Sequence, residues 1–184
     1  MKLKKFRFKR VNSTNNTAIR IIKNSNYKFG MVMADTQSNG KGQHGKKWIS
    51  FKGNIFVSFF YELKNINKSL SALTKINCLL VKKNLEKYYK NKIIFKKPND
   101  LLIDKKKICG ILQEIISISG NKFLIVGIGI NLIKSPNIKN YPTTNLFELI
   151  NERINKIKFE NELKVIFEKN LTRMYKINNK VKKY

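Results

Sequence analysis

A chain of 184 residues in which 42% are hydrophobic can bury a substantial core, and we expect one domain over residues 1–184. The net charge of +28 comes mainly from lysines spread along the whole chain, which is typical of AT-rich codon usage. A nucleic-acid-binding patch more often gathers arginine and aromatic residues. No apolar run has the length of a membrane span and no secretory signal is visible, so we expect a cytoplasmic protein without DNA or membrane partners.

The first half of the chain predicts strands and one short helix. Residues 2–10 alternate imperfectly between apolar and charged residues and predict an edge strand. Ser13 or Thr14 can cap a short helix that follows. Residues 29–34 and 54–63 are rich in apolar residues and predict buried strands, and the β-branched and aromatic residues of the second favour a central position.

From residue 69 onward, the sequence predicts three helices, a short strand and a β-hairpin. Residues 69–89 carry an apolar stripe at helical spacing, and Ser69 is the predicted N-cap. The remaining predictions are a short strand at 93–95, a hairpin of 108–119 and 122–130 around Gly120-Asn121, and helices at 145–151 and about 160–177. This order predicts an α+β fold, with a central mixed β-sheet flanked by helices.

A loop rich in glycine and lysine, ADTQSNGKGQHGKKW, covers residues 34–48. Glycine lets backbone N–H groups approach a ligand closely and lysine supplies positive charge, so the pattern predicts an anion-binding site. Trp48 ends the loop with a flat apolar surface that can cover a ligand. We expect the loop to act as a lid that becomes ordered when its ligands bind.

Three further clusters combine small polar, charged and glycine residues. They are Ser13-Thr14-Asn15, Lys97-Pro98-Asn99-Asp100 followed by Lys107, Gly110 and Glu114, and GIGIN at residues 127–131. Each also has a structural explanation, namely a helix cap, a turn with a solvated hairpin tip, and relief of crowding between strand and helix. With the loop, four such explanations would have to hold independently, so the set favours a ligand-binding site.

Four motifs in the same order resemble the biotin–protein ligase family (biotin–acetyl-CoA-carboxylase ligases). The family's Ser-Thr-Asn matches residues 13–15, and its GRGRxGRxW-type loop is similar to GKGQHGKKW at residues 40–48. Its KWPND and K(I/L)xGIL(x)E signatures resemble KKPNDLLIDKKKICGILQE at 96–114, and its GxGxN segment resembles GIGIN, with an ATSL-like piece at 143–146. The resemblance covers residues 10–150, and the pairing of KxPND with KxxGILxE is its most specific part.

The resemblance implies a class II synthetase-like biotin/lipoate ligase catalytic fold. It also implies that the chain joins biotin and ATP to give biotinyl-5′-adenylate and pyrophosphate. The biotinyl group would then pass to a lysine of the biotin carboxyl carrier protein of acetyl-CoA carboxylase. ATP, biotin and Mg²⁺ are the implied substrates and cofactor, with no metal ligand from protein side chains.

The same resemblance assigns roles to individual residues. Catalytic roles fall to Lys107, Asp100 and Lys41. The residues expected to bind biotin are Ser13, Thr14, Asn15, Gln37, Gly40, Lys41, Gly42, Gln43, Lys107 and Gly110. Those expected to bind ATP or the adenylate are Lys41, Lys46, Trp48, Asn99, Asp100, Lys107 and Asn131. The single histidine, His44, is expected to be solvated and outside the chemistry.

Several features depart from the family's pattern. Lys41 and Gln43 stand where arginine is common; lysine keeps the charge but lacks the bidentate fork, so we expect weaker retention of the adenylate. Lys97 replaces the usual tryptophan of KWPND. We expect a minimal form, with no DNA-binding domain before Ser13 and no SH3-like domain after the last helix, and slower activity than in relatives.

Three alternatives stay open. A lipoate– or octanoate–protein ligase would share the fold but would need an apolar tunnel instead of polar biotin-binding groups. A basic nucleic-acid-binding protein or repressor would show steeply salt-dependent DNA binding. The third alternative is an inactive remnant of the family. The sequence also leaves open the identity of the acceptor and the oligomeric state, a homodimer included.

Overall fold

The computed structural model describes residues 1–64, 66 and 68–181, with side chains as far as residue 176. Its elements in chain order are β1 (Lys4–Val11), α1 (Thr14–Lys23), β2 (Phe29–Gln37), β3 (Gly40–Lys41), β4 (Lys47–Trp48), β5 (Ile55–Glu62), α2 (Leu70–Leu85), β6 (Ile94–Lys96), β7 (Asp100–Ile103), β8 (Lys106–Ile118), β9 (Asn121–Ile130), α3 (Leu146–Ile150) and α4 (Lys156–Val181). A short 3₁₀ turn, Gln43–Gly45, lies between β3 and β4.

Seven strands form one mixed sheet in the order β1-β2-β5-β9-β8-β7-β6. The β1–β2 pair is parallel, and the other neighbouring pairs are antiparallel. All eight residues of β5 are buried, because this strand lies inside the sheet and is covered on both faces. The predicted α+β fold, the edge position of β1 and the inner position of β5 are confirmed.

The two faces of the sheet carry different helices. On one face, α1 packs Ala18 and Ile22 against a small apolar cluster that includes Val32 and Phe60. On the other face, α2 and α4 cover the larger core, in which the Phe59 and Phe167 rings stack with centroids 3.8 Å apart. Since α1 covers only part of its face, the sheet beyond its N-terminus is free to form a site.

Several boundaries differ from the predictions: β2 continues to Gln37, α2 ends at Leu85, and the strand β7 was not predicted. The hairpin turns at Ser119-Gly120, whose φ angles of 48° and 76° are both positive, and Asn121 already belongs to β9. The last helix begins at Lys156 instead of about residue 160, because the Asn155 side chain accepts a hydrogen bond of 3.0 Å from the backbone N–H of Lys158. The predicted cap Ser69 accepts a bond from the first turn of α2, and Asn145, which was not predicted as a cap, accepts one from the first turn of α3.

Within residues 1–64, 66 and 68–181, no helix combines the length and the apolar character needed to cross a bilayer. The prediction of one domain over residues 1–184 stays a prediction.

A group of four charged side chains ties β1 and β2 to the start of α4. Glu160, which is 1% exposed, accepts a hydrogen bond from the guanidinium of Arg7. Lys156 Nζ lies 3.2 Å from Asp35 Oδ1 and 3.9 Å from Glu160 Oε1, and Arg7 also approaches Asp35 at 3.8 Å. A carboxylate this deeply buried is stable only while its cations stay in place.

We therefore expect Arg7→Met to lower the free energy of unfolding by roughly 2–4 kcal/mol, because it leaves Glu160 buried with only the more distant Lys156. Urea denaturation followed by circular dichroism measures the change. Arg10→Met, an exposed arginine on the same strand, is the matched control and should change stability by less than about 0.5 kcal/mol. Equal effects from the two substitutions would show that the ion pair contributes nothing.

Candidate active site

The floor of the site is a patch of sheet without side chains. Gly110 and Gly129 are paired directly across β8 and β9, and Gly127 lies two residues before Gly129 on the same face. A Cβ at Gly127 would lie 2.4 Å from Asn15 Oδ1, and a Cβ at Gly129 would lie 2.3 Å from Cε2 of Trp48. These glycines therefore do relieve crowding, but the groups they admit are polar and aromatic side chains of the predicted site.

A buried polar cluster stands at one end of this floor, at the N-terminus of α1. The Thr14 backbone N–H donates to Gln37 Oε1 at 2.8 Å, and Asn15 Nδ2 donates to Glu114 Oε2 at 2.5 Å. Ser58 Oγ, from β5, lies 2.8 Å from Thr14 Oγ1 and 2.6 Å from Asn15 Oδ1. Each side chain thus has its rotamer held by a neighbour, which fixes the direction of its remaining hydrogen-bonding positions.

Ser13 occupies the N-cap position of α1, as the capping interpretation predicts, yet its side chain makes no capping hydrogen bond. Ser13 as a whole is 2% exposed, and it lines a cavity. Helix capping therefore does not account for the hydroxyl, which is free to bond a ligand.

The glycine-rich loop folds over the floor as a two-stranded ribbon of β3 and β4. Gly40 pairs with Trp48, and the Gly42 N–H donates to the Lys46 carbonyl at 2.7 Å. The ribbon turns at His44, which is exposed and has a φ of 54°. Lys41 Nζ reaches back to Asn16 Oδ1 at 2.9 Å. The indole of Trp48 lies on the glycine floor, and its buried Nε1 donates to no described protein group.

Lys107 and Asp100 form an ion pair at the far end of the floor. Lys107 Nζ lies 2.8 Å from Asp100 Oδ1, and it also lies 5.3 Å from the Trp48 ring centroid. The Tyr141 hydroxyl donates to the other carboxylate oxygen, Asp100 Oδ2, at 2.5 Å. Burial and the bond to Asp100 raise the pKa of Tyr141, so the phenol keeps its proton and stays a donor at neutral pH.

Two cavities open beside these groups. The smaller, of about 50 Å³, is lined by Ser13, Thr14, Asn15, Gln37, Lys41, Gly42, Gln43, Trp48, Asn99, Lys107, Gly110, Ile111, Leu112, Gly127, Ile128 and Gly129. The larger, of about 480 Å³, is lined by Gly42, Gln43, His44, Lys46, Lys47, Trp48, Ile49, Asn99, Asp100, Lys107, Asn131, Pro136, Ile138, Lys139, Asn140, Tyr141 and Thr143. Gly42, Gln43, Trp48, Asn99 and Lys107 line both, so the two cavities meet at the ion pair and the indole.

The structure brings almost all of the sequence-predicted residues to these cavities. Every residue expected to bind biotin lines the smaller cavity except Gly40, and every residue expected to bind the nucleotide lines the larger one except Lys41. Gly40 has a structural role, since a Cβ there would lie 2.6 Å from the Trp48 carbonyl. Asn99 is partly structural too, because its amide donates to the Ile111 carbonyl at 2.6 Å.

Some site residues carry no motif and were missed. Ser58 carries a hydroxyl group within the apolar run NIFVSFFYEL, and it is fully buried. A lone polar residue in a buried strand needs a hydrogen-bond partner, and this is the signal that could have marked it as a site residue. Tyr141 lies in an irregular segment without periodicity, so nothing in the sequence indicates its contact with Asp100. The hairpin-tip interpretation holds for Lys105, in the turn, but not for Lys107, whose side chain is only 18% exposed.

Comparison with known proteins gives one consistent result. The profile of the Biotin/lipoate A/B protein ligase family matches residues 7–131. A biotin protein ligase from Aquifex aeolicus, solved in complex with biotin and ATP, superimposes with a TM-score of 0.78 and 29% identity, covering 92% of this chain and 71% of that chain.

Two curated relatives are also similar to this chain. The bifunctional ligase/repressor BirA of Bacillus subtilis is 29% identical over 167 residues, which is 86% of this chain and 51% of that protein. BirA of Escherichia coli is 31% identical over 102 residues, which is 54% of this chain and 32% of that protein. The matches thus span between about a third and a half of these relatives' length.

Gly129→Ala should displace Trp48 from the glycine floor, because the new Cβ would overlap the indole ring. Trp48 is the only tryptophan of the chain, so its fluorescence reports the change directly, and we expect emission at longer wavelength. Gly30→Ala is the control, since its Cβ would come equally close, 2.3 Å, to Phe60 Cζ, a ring of the apolar cluster under α1 that lines neither cavity. Both variants should lose roughly 1–3 kcal/mol of stability, but only the first should shift the emission.

Proposed function

Because the chain belongs to the biotin/lipoate A/B protein ligase family, we propose that it is a biotin–protein ligase. It would join biotin to ATP and then transfer the biotinyl group to a lysine of the carboxyl carrier protein of a biotin-dependent carboxylase such as acetyl-CoA carboxylase. One observation carries the proposal: a polar cavity and a larger cleft meet at Lys107 and Trp48. A reaction between two bound substrates needs such a junction.

The polar cluster favours biotin over a simple fatty acyl chain. The ureido group of biotin has two N–H donors and one carbonyl acceptor, and Ser13, Thr14, Asn15 and Gln37 offer hydroxyl and amide groups of both kinds around the smaller cavity. A lipoyl or octanoyl chain has no group to bond the positions that these side chains leave open, the Ser13 hydroxyl among them, and each position left unpaired would cost about 1–3 kcal/mol. Ligands with matching polar groups are therefore preferred.

The smaller cavity must enlarge to admit a ligand. Its volume of about 50 Å³ is well below the roughly 300 Å³ typical of small-molecule sites. Trp48 and Lys107 both line it, and Trp48 belongs to the glycine-rich ribbon. We propose that the ribbon lifts and closes again as a lid, which would enclose the reacting groups and exclude water.

The larger cleft suits the nucleotide. Its volume of about 480 Å³ lies in the usual range for cofactor sites, and Lys46 supplies positive charge for phosphates. Two buried polar atoms without described partners, Trp48 Nε1 and Asn131 Oδ1, provide a donor and an acceptor at residues that line this cleft. Such atoms are usually satisfied by a ligand or water.

In the first step, a carboxylate oxygen of biotin would attack the α-phosphorus of ATP as the bond to pyrophosphate breaks. Two anions must come into contact, and like charges repel strongly in a site from which water is excluded. Lys107 lies at the junction and Lys41 at the smaller cavity, so their charges would stabilise the approach and the transition state. Lys107 would leave Asp100 to do so.

Mg²⁺ would enter on the phosphates of the nucleotide. Asp100 is the only carboxylate among the described residues that line the larger cleft, and it is already paired with Lys107. Mg²⁺ commonly binds substrate phosphates and keeps several waters, so phosphate oxygens and water would supply its ligands here. When bound, the ion would neutralise phosphate charge.

In the second step, the amine of the acceptor lysine would attack the acyl carbon and AMP would leave. The amine must lose a proton to become a nucleophile, since lysine is protonated at neutral pH. Asp100 is the carboxylate at the junction, and once Lys107 turns to the adenylate, its Oδ1 is free to orient or deprotonate the amine.

The direct test incubates the protein with ATP, Mg²⁺, biotin and an apo carrier domain, and follows the mass of the carrier. We expect a gain that corresponds to one biotinyl group, and pyrophosphate release with biotin but not with lipoate. Labelling with lipoate alone would support the other branch of the family. Absence of pyrophosphate with either acid would overturn the proposal.

Lys107→Ala should reduce the rate of pyrophosphate release by roughly 10²-fold or more, because it removes the cation at the junction of the two substrates. Lys106→Ala changes the exposed neighbour on the same strand and should leave the rate unaltered. A near-normal rate in Lys107→Ala would remove Lys107 from the first step.

Asp100→Asn should slow transfer from preformed biotinyl-adenylate by roughly 10²-fold, since an amide cannot accept the proton of the acceptor amine. Single-turnover labelling of the carrier measures this step apart from adenylation. Asp104→Asn, in the exposed turn between β7 and β8, removes the same charge and serves as the control. Unchanged transfer in Asp100→Asn would contradict the assigned role.

A further inference from the structure

Three exposed lysines surround the mouth of the larger cleft. Lys47, in β4, and Lys139, in the segment before α3, both line it. Lys96, in β6, holds its Nζ 4.7 Å from the ring centroid of Tyr141, which also lines the cleft. We call Lys47, Lys96 and Lys139 the mouth lysines. They come from three separate elements, so their positions depend on the fold and not on one run of charge.

No described carboxylate forms an ion pair with a mouth lysine. The one carboxylate lining this cleft among the described residues, Asp100, is paired with Lys107. Elsewhere several acidic groups are neutralised by basic residues, as Glu62 is by Lys28 and Glu160 by Arg7. The positive charge at the mouth therefore faces outward without compensation.

The mouth is where a macromolecular acceptor must arrive. If the proposed function holds, a lysine of another folded domain has to reach the junction, and the surface around that lysine then faces the mouth. Uncompensated charge attracts an acidic surface, repels a basic one and raises association rates. We propose that the mouth lysines bind an acidic surface surrounding the target lysine of the acceptor domain. This inference rests on the proposed function.

The mouth lysines are different residues from the cations assigned to the nucleotide, Lys107 and Lys46. Lys107 is 18% exposed and lies at the junction of the cavities, whereas Lys46 is exposed and lines the larger cleft, as Lys47 and Lys139 do. Pyrophosphate formation requires no acceptor, so the first step separates the two roles. Loss of the mouth lysines should therefore slow the step in which the acceptor takes part more than it slows pyrophosphate formation.

The test is the triple variant Lys47→Gln, Lys96→Gln, Lys139→Gln with an acidic apo carrier domain at low ionic strength. We expect kcat/KM for the carrier to fall roughly tenfold, with a shallower dependence on salt than in the unmodified protein. The rate of pyrophosphate release without carrier should fall much less than kcat/KM for the carrier, although Lys47 and Lys139 line the cleft proposed for the nucleotide. An equal fall in both would assign these lysines to the nucleotide and overturn the proposal.

The matched control is the triple variant Lys75→Gln, Lys83→Gln, Lys169→Gln. It removes the same charge from exposed positions of α2 and α4, on the opposite face of the sheet from α1. Its kcat/KM should stay within about twofold of the unmodified protein at ~0.1 M salt, because exposed charges more than a Debye length of ~10 Å from the docked carrier are then screened. Equal losses in both triple variants would show that only the overall charge matters, and would overturn the assignment to the mouth.

A variant carrier completes the experiment. When the carboxylates flanking its acceptor lysine are changed to amides, kcat/KM of the unmodified ligase for this carrier should also fall roughly tenfold. The kcat/KM of the mouth variant should fall little further with this carrier. Independent, additive losses would contradict direct contact.

Duplex DNA tests the alternative partner. If it binds the unmodified protein but not the mouth variant, and both have the same kcat/KM for the carrier, the surface serves nucleic acid and the proposal is wrong. Absence of pyrophosphate release in the unmodified protein would instead overturn the proposed function.

Discussion

The site depends on a patch of the sheet where three neighbouring positions on one face carry no side chain. Gly110, Gly127 and Gly129 let Asn15 and Trp48 lie directly against the backbone of β8 and β9. Any larger residue at these positions would push α1 or the glycine-rich ribbon away from the sheet. The polar cluster, the indole and the ion pair would then no longer share one surface. Close approach of backbone and ligand-binding groups is the usual reason for glycine inside a strand.

The ion pair of Lys107 and Asp100 fixes the position of both groups on this surface. Each group neutralises the other, and Tyr141 donates to the remaining carboxylate oxygen. The two groups for which we propose roles in successive steps are thus paired with each other. A bound anion can compete for Lys107, and in doing so it releases Asp100. Substrate binding and preparation for transfer would be linked through a single exchange of partners.

The sequence predicted the parts of the molecule that follow local rules. The apolar runs of β2, β5 and β9 and the helices α2 and α3 were recognised, because apolar periodicity and the Ser69 cap of α2 are local properties. The site residues within motifs were brought together as expected. Ser58 and Tyr141 were not predicted as site residues. Their contacts with Asn15 and Asp100 join positions 43 and 41 residues apart that no motif connects. The start of α4 was placed too late, because no clear helical periodicity marks the residues next to its N-cap, Asn155.

The charged group around Glu160 has a consequence for how the chain acquires its structure during synthesis. Arg7 and Glu160 are separated by 153 residues, and the backbone N–H of Leu3 donates to Glu168, 165 residues away. The first strand therefore cannot complete its contacts until the last helix has left the ribosome. Contacts over such a separation close slowly, because the entropy of a long loop is lost before any bond forms. The lysines and arginines of β1 meanwhile disfavour edge-to-edge pairing of this strand with other chains.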